Sequence, residues 1–149
     1  MSCLEVEILN RLKTIISQDY SSGFSGLDIS SSVVIGATIN APIVPSANIT
    51  YIDTIEQQGR TLGRYFGESV YQIICYAGGA SLKERLENVL NLANDIKKSI
   101  TIDRTLGLSG ATEDVLVNLT AVDGEEFGIS QTGVALLEVR VSRQRDLGV

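Results

Sequence analysis

The segment from Ser81 to Ile100 constrains the fold of this 149-residue chain more than any other. Ser81 and Glu84 match a capping box, in which the two side chains satisfy free amides at a helix start. Apolar residues then recur at steps of three and four, which places them on one helical face: Leu82, Leu86, Val89, Ala93, Ile96 and Ile100. A helix with one apolar face must bury it against another element, and here a sheet is the simplest partner.

Strand patterns occur on both sides of this helix. Residues 32–39, 49–55 and 69–76 have the composition or alternation of strands, with polar residues 56–59 ending the second of them. After the helix, residues 115–121 and 134–141 read as an antiparallel hairpin. A shorter amphipathic helix, ending near Gln18, begins the chain. We therefore predict a single α+β domain over residues 1–149, with a mainly antiparallel sheet and two principal helices packed on one face.

The residue content argues against an enzyme. The chain has no histidine, the most frequent general base and metal ligand. Its two cysteines, Cys3 and Cys75, are far apart in sequence, and no serine lies in a GxSxG motif. We expect no catalytic residue, no cofactor and no metal.

The overall charge and hydropathy limit the partners. A net charge of −6 repels nucleic acid on average. No apolar run approaches the roughly 20 residues that span a bilayer, and no signal peptide pattern begins the chain. We expect synthesis in a cytoplasm and no membrane partner.

Two weaker patterns have both a functional and a structural interpretation. Residues 78–83 place two glycines and Lys83 at a helix start, where free amides can bind phosphate, but a strand-to-helix turn needs the same glycines. The carboxylates of Glu113 and Asp114, and those near residue 125, could hold a hard cation, but solvated loop acids are the commoner outcome.

The stretch from 102 to 110 lies between the long helix and the next strand. Its physical role is that of a corner. Leu106 can fill the space between the helix end and the sheet, and Gly107 can adopt the positive φ that a helix cap or a tight turn needs.

The same stretch carries a family resemblance. A second helix ending at Ile100, a turn with the form D-x-T-L-G, and a last strand running into an arginine-containing segment together resemble the tail terminator proteins of tailed bacteriophages. In that family a D-x-T-L-G-G type turn follows the second helix; here a leucine and a serine separate the two glycines. The residues that match this turn are Asp103, Arg104, Thr105, Leu106, Gly107 and Gly110.

The resemblance implies a virion assembly protein. Such a protein forms a ring, typically a hexamer, on the head-proximal end of the tail tube, stops tube polymerisation and offers a surface to head-side neck or connector proteins. A contractile tail would add the sheath protein as a partner, and DNA would pass through the lumen without specific binding. The alternatives are another neck or tube component, or a cytoplasmic small-ligand-binding domain that uses Gly78 and Gly79.

Segregated charges give candidate interface residues for such a ring. A heterologous ring contact joins two different patches of the same chain. The most segregated opposite charges are an acidic group at the loop after residue 122 and a basic group near the carboxyl end. We predict that they lie near ring or tube contacts: Asp123, Glu125 and Glu126 in the first group, and Arg140, Arg143 and Arg145 in the second.

Overall fold

The computed structural model describes residues 3–21, 32–36, 45–58, 64–102, 106–108, 112–123 and 132–146. Within these residues the chain forms two helices and five strands: α1 (Leu4–Ser21), β1 (Val33–Ile35), β2 (Ser46–Gln58), β3 (Arg64–Gly78), α2 (Leu82–Thr101), β4 (Thr112–Asp123) and β5 (Thr132–Asp146). The order of helix, three strands, helix and two strands confirms the predicted α+β class.

The strands form one sheet in the order β1-β2-β3-β5-β4. Strand β1 runs parallel to β2, and every other neighbouring pair is antiparallel. The predicted pairing of the last two strands is confirmed, since Val117 of β4 lies opposite Val139 of β5. Tyr71 of β3 lies on the other side of the same Val139, so β5 is a central strand although it comes last in the chain.

Both helices cover the same face of the sheet. Helix α1 packs on β1, β2 and α2, whereas α2 packs on β3, β4 and β5. Alternate residues of each strand point into the resulting core, as period-two patterning requires. The fully buried large side chains are Ile8, Leu12 and Ile16 of α1, Leu92, Ile96 and Ile100 of α2, and Ile49, Tyr71, Ile73 and Leu106.

Several predicted boundaries are wrong because backbone pairing continues through polar side chains. The polar residues after 55 were expected to end β2, yet the strand continues to Gln58, which pairs with Tyr65 of β3. Strand β3 correspondingly begins at Arg64, and β5 continues past Val141 to Asp146. Helix α1 also runs three residues beyond Gln18, and β1 ends at Ile35.

Helix α2 begins with the predicted cap. The Ser81 hydroxyl accepts a hydrogen bond from the Glu84 amide at 3.2 Å. The Glu84 carboxylate accepts from the Ala80 amide at 3.0 Å, one residue before the position that a standard capping box uses. Leu82 is half exposed, and Leu92, which the predicted stripe omitted, is buried between Val89 and Ile96. None of the described helices is long and apolar enough to cross a membrane.

Candidate interaction surfaces

The turn after α2 combines a strained backbone with a buried side chain. Leu106 has φ of 55°, a left-handed conformation that is uncommon for any residue with a Cβ, and its side chain is fully buried. Gly107 has φ of 75°. The cap of α2 is Ile102, whose amide donates to the Lys98 carbonyl, so Gly107 serves the tight turn and not the helix end. Asp103, Arg104, Thr105 and Gly110 lie outside the described residues.

Arg11 of α1 holds this turn. Its Nε donates a hydrogen bond of 2.8 Å to the Leu106 carbonyl. A Cβ on Gly107 would lie 3.0 Å from the guanidinium nitrogens Nε and Nη2 of Arg11, so the glycine also leaves room for this contact. The contact joins residues 95 positions apart, which explains why no local pattern indicated Arg11. The described part of the matched turn, Leu106 and Gly107, therefore contacts α1 and has a structural role there.

The start of α2 is occupied by the chain's own groups. The Glu84 carboxylate already accepts a hydrogen bond from the Ala80 amide. Its negative charge would repel a phosphate group at this helix start. Asn88 donates to the Gly78 carbonyl at 2.9 Å. A Cβ on Gly79 would lie 2.7 Å from the Arg85 backbone nitrogen, so this glycine permits close packing of the helix. The geometry favours the structural interpretation of these glycines over a phosphate site.

The carboxylates considered for a cation take up different roles or lie outside the described residues. Asp114 Oδ1 accepts a hydrogen bond from the Val115 amide at 2.8 Å. Glu125 and Glu126 are among the residues that the structure does not describe, as is the side chain of Asp123. In the described part of the chain, no group of three or more Asp, Glu, Cys or His side chains is placed to hold a metal ion.

Arg140 forms an ion-pair cluster on the sheet face away from the helices. Its Nη1 donates to Glu68 Oε1 at 2.7 Å, and its Nε donates to Glu138 Oε1 at 2.5 Å. The hydrogen bonds to Glu138 and then Glu68 raise the pKa of the Arg140 guanidinium. Two carboxylates therefore neutralise Arg140 within its own chain. The sequence did not indicate Glu68, because the contact depends on the register between β3 and β5.

The backbone positions of Asp123 and of Arg143 lie at opposite ends of the β4–β5 pair, whereas Arg140 lies within the pair opposite Leu116. Asp123 is the last residue of β4 and pairs with Gly133. At the other end of the same pair, Arg143 lies opposite Thr112, and Arg145 continues the strand beyond it. Arg143 follows Gly133 by ten positions along β5, a distance of about 33 Å in an extended strand.

The fold defines an α+β protein with two helices on one face of a five-stranded, mostly antiparallel sheet. Comparison with known structures finds a similar chain in the virion of a native gene transfer agent particle. The TM-score is 0.58 at 10% sequence identity, and the match covers 89% of this chain and 94% of the other. At this identity the similarity shows the fold. No protein-family model and no curated protein matches the sequence.

Proposed function

We propose that this protein is a virion structural protein of a phage-like particle, and that it forms a ring on the head-proximal end of the tail tube. In this role it terminates tube polymerisation and provides the surface to which head-side neck or connector proteins bind. The observation that carries the proposal is the match with a virion chain over nearly the full length of both chains. The protein acts by binding, without catalysis or a cofactor.

The resemblance of residues 103–110 to the tail terminator turn supports the specific position on the tube. The fold similarity by itself does not distinguish a terminator from other virion components with this architecture, because the matched chain is identified only as part of a virion. Because residues 103–110 resemble the turn of tail terminator proteins, we propose a terminator and not another virion component. The hydrogen bond from Arg11 to the Leu106 carbonyl gives this turn a structural role that needs no ligand.

The charge distribution supports a protein with two different partners. Asp123 and the terminal arginines lie at opposite ends of the β4–β5 pair. In a ring, one end would face the tube protein and the other the neck protein, together with the sheath if the tail is contractile. We propose Asp123, Glu125 and Glu126 as contacts at one end, and Arg143 and Arg145 as contacts at the other, with Arg140 fixed by Glu68 and Glu138.

The acidic composition suits a conduit for DNA. A chain with net charge −6 gives a ring that repels phosphate groups on average. A basic lumen would release counterions on contact with DNA and retain the duplex. DNA is therefore expected to pass through without specific binding, and the protein is expected in the tail or neck of the virion after synthesis in the host cytoplasm.

Tube capping is the direct test. Tail tubes assembled from the particle's tube protein would be imaged by negative-stain electron microscopy with and without this protein. We expect a ring at one end of each tube and no further growth from that end. Binding along the whole tube, or binding at neither end, would contradict the proposal.

The alternative of a tube component predicts a different product. A tube protein polymerises by itself into long tubes, whereas a terminator stops at a bounded ring. Electron microscopy of the protein alone therefore separates the two functions. In the capping assay, Arg143→Glu with Arg145→Glu should abolish one axial contact and leave the ring intact. Arg140→Gln is the control, since Arg140 is already paired within its own chain.

A further inference from the structure

The sheet has two unlike edges, each with one side that no described strand pairs with. On each edge strand one amide donates to the carboxylate of the preceding residue: Thr54 to Asp53 and Val115 to Asp114. Strand β4 is the last strand on one side, and in the described part of the chain only β5 pairs with it. It is 12 residues long, and Leu116 on it is 60% exposed. A strand of this length with one unpaired side is a template for another strand.

The opposite edge is formed by the second half of β2. Strand β1 pairs with Ala47, Asn48 and Ile49 only. From Thr50 to Gln58, β2 pairs with β3 and with no other described strand. Three apolar side chains on this half are exposed: Tyr51, Ile52 and Ile55. Tyr51 is opposite Tyr71 on the helix-covered face, Ile52 lies at the register shift, and Ile55 is on the other face.

The residue content of both edges differs from that of protected edges. Natural sheets block edge pairing with lysine, proline or very short strands. Strand β4 contains no Lys, Arg or Pro, and neither do residues 50–58. The arginines of the sheet lie on the inner strands β3 and β5. Each edge carries one register irregularity, between Tyr51 and Asp53 in β2 and between Thr112 and Asp114 in β4, and a β-bulge of this kind protects part of an edge. The remainder of both edges lacks lysine and proline and is long enough to pair with another strand.

Strand directions allow the two edges to pair with each other. Because β2, β3, β5 and β4 alternate in direction, β4 runs antiparallel to β2. If a second copy is placed beside the first in the same orientation, β4 of one copy meets β2 of the next in an antiparallel pair. The helices then remain on one side of the combined sheet.

We infer that β4 of one copy pairs with residues 50–58 of β2 in the next copy, so that the sheet continues from subunit to subunit around the ring. The inference rests on the proposed ring and names its contact. It is a heterologous contact, because each copy offers two different edges, and such contacts close when the rotation per copy is suitable. Main-chain hydrogen bonds supply the attraction, as in strand addition.

The side chains that would meet lie on the sheet face away from the helices. Ile55 is directly opposite Glu68, whose partner Arg140 is on that face. Leu116 is directly opposite Arg140 on the same face. The contact would therefore cover exposed aliphatic groups from both edges. Carboxylates also occur on both edges, including Asp53 and Asp114, so salt should strengthen the contact by screening their repulsion.

Thiol crosslinking tests the contact. In a Cys3→Ser background, Ile55→Cys would be combined in turn with Asp114→Cys, Leu116→Cys, Asn118→Cys, Thr120→Cys and Val122→Cys, which are successive positions two residues apart along β4. A short bismaleimide would be added to the free protein and to tube-bound protein, and products would be resolved on a denaturing gel. Buried Cys75 is present in every variant and is fully covered in the fold.

We expect at least one double variant to give a ladder of covalent multimers that stops at the ring size, with each single variant remaining monomeric. Efficient dimers from Leu116→Cys alone would show two-fold β4–β4 pairing and overturn the inference. No ladder from any double variant on a protein that still caps tubes would overturn the contact and leave the proposed function standing. Failure of tube capping itself would instead count against the function.

An edge-blocking substitution gives an independent test. Leu116→Lys places a desolvated charge in the contact and should raise the concentration of half-dissociation of the ring about tenfold or more. Ile102→Lys is the matched control, since Ile102 is 74% exposed and lies on neither edge. Thermal unfolding of both variants checks that the fold is retained. Equal effects of the two substitutions on the ring would overturn the inference.

Discussion

Leu106 shows at the residue scale how one side chain and one distant donor fix a corner of the fold. Its backbone adopts φ of 55° while its side chain fills the core, so burial compensates for an unfavourable conformation. Arg11 supplies the hydrogen bond that the Leu106 carbonyl needs. The sequence indicated that Leu106 and Gly107 would form a corner, because a leucine can fill the space between helix and sheet and a glycine can adopt a positive φ. It could not indicate Arg11, which reaches the turn only through the packing of α1.

Removal of the Arg11 donor should destabilise the fold. Arg11→Met keeps much of the aliphatic stem and leaves the Leu106 carbonyl without its donor, and we expect a loss of about 1–2 kcal/mol in the free energy of unfolding. Lys13→Met is the control on the same helix, with an expected change within about 0.5 kcal/mol. Urea denaturation measures both, and equal effects of the two substitutions would show that the Arg11 contact contributes nothing.

The buried thiol of Cys75 should make stability depend on alkaline pH. Burial raises the pKa of Cys75 above its ordinary value of 9.0. The folded chain keeps the thiol neutral while the unfolded chain ionises it, so this thiol adds no pH dependence to stability well below pH 9 and lowers stability as the pH rises above 9. Between pH 9.0 and pH 10.0 the free energy of unfolding should approach a loss of about 1.4 kcal/mol per pH unit. Above pH 10.0 the unfolded chain also ionises Tyr76, whose pKa is raised in the fold.

Denaturation curves at successive pH values test this expectation. Cys75→Ala should be less stable overall, because it opens a small space in the core, but should lose the added slope just above pH 9. Cys3 is present in both proteins and contributes equally to both curves. The same slope in the variant and in the original chain would contradict the assignment to Cys75.

Two glycines allow helix α2 to pack closely on the sheet. A Cβ on Gly79 would lie 2.7 Å from the Arg85 backbone nitrogen, and one on Gly133 would lie 2.5 Å from the Arg85 carbonyl oxygen. Gly133 is opposite Ala77 in the β3–β5 pair, two residues before Gly79. The same turn of α2 therefore rests on both glycines, and the register of two strands determines where the helix sits.

Alanine at either glycine should displace α2. We expect Gly79→Ala and Gly133→Ala each to cost about 1–3 kcal/mol, because backbone atoms and not flexible side-chain ends occupy the space. The double variant should cost less than the sum, since one displacement of the helix relieves both contacts. Chemical denaturation of the original chain and the three variants completes the double-mutant cycle. Additive costs would show that the two glycines support the helix independently.

The elements themselves were predicted unequally well. The position of helix α2 and most of its buried residues were predicted correctly, because a long run of apolar residues at helical spacing is a strong signal. Strand ends were wrong at β2, β3 and β5, where backbone ladders continue through polar residues such as Gln58 and Arg143. Side-chain patterns report burial, and they carry no information on a ladder whose two faces are both partly exposed.

The whole molecule presents a sheet that helices cover on one face and whose two edges no further described strand extends. Strand β4 and residues 50–58 carry exposed aliphatic side chains and contain no lysine or proline. We propose that the edges join copies into a ring and that the strand ends contact the tube and the neck. The sequence suggested charged residues as interface candidates, but it could not show which strands lie at the edges. That information comes from the strand order.

The measurement that tests this account most directly is the solution mass of the protein by light-scattering chromatography, over a range of concentrations and at low and high salt. Pairing of acidic edges through backbone hydrogen bonds predicts one discrete mass of hexamer size, which persists or becomes more populated at about 1 M salt, where charges are screened within about 3 Å. A ring held by opposite charges would instead dissociate in high salt. A mass that grows without limit would contradict the closed ring, and a monomer under every condition would contradict a ring that forms before the protein binds the tube.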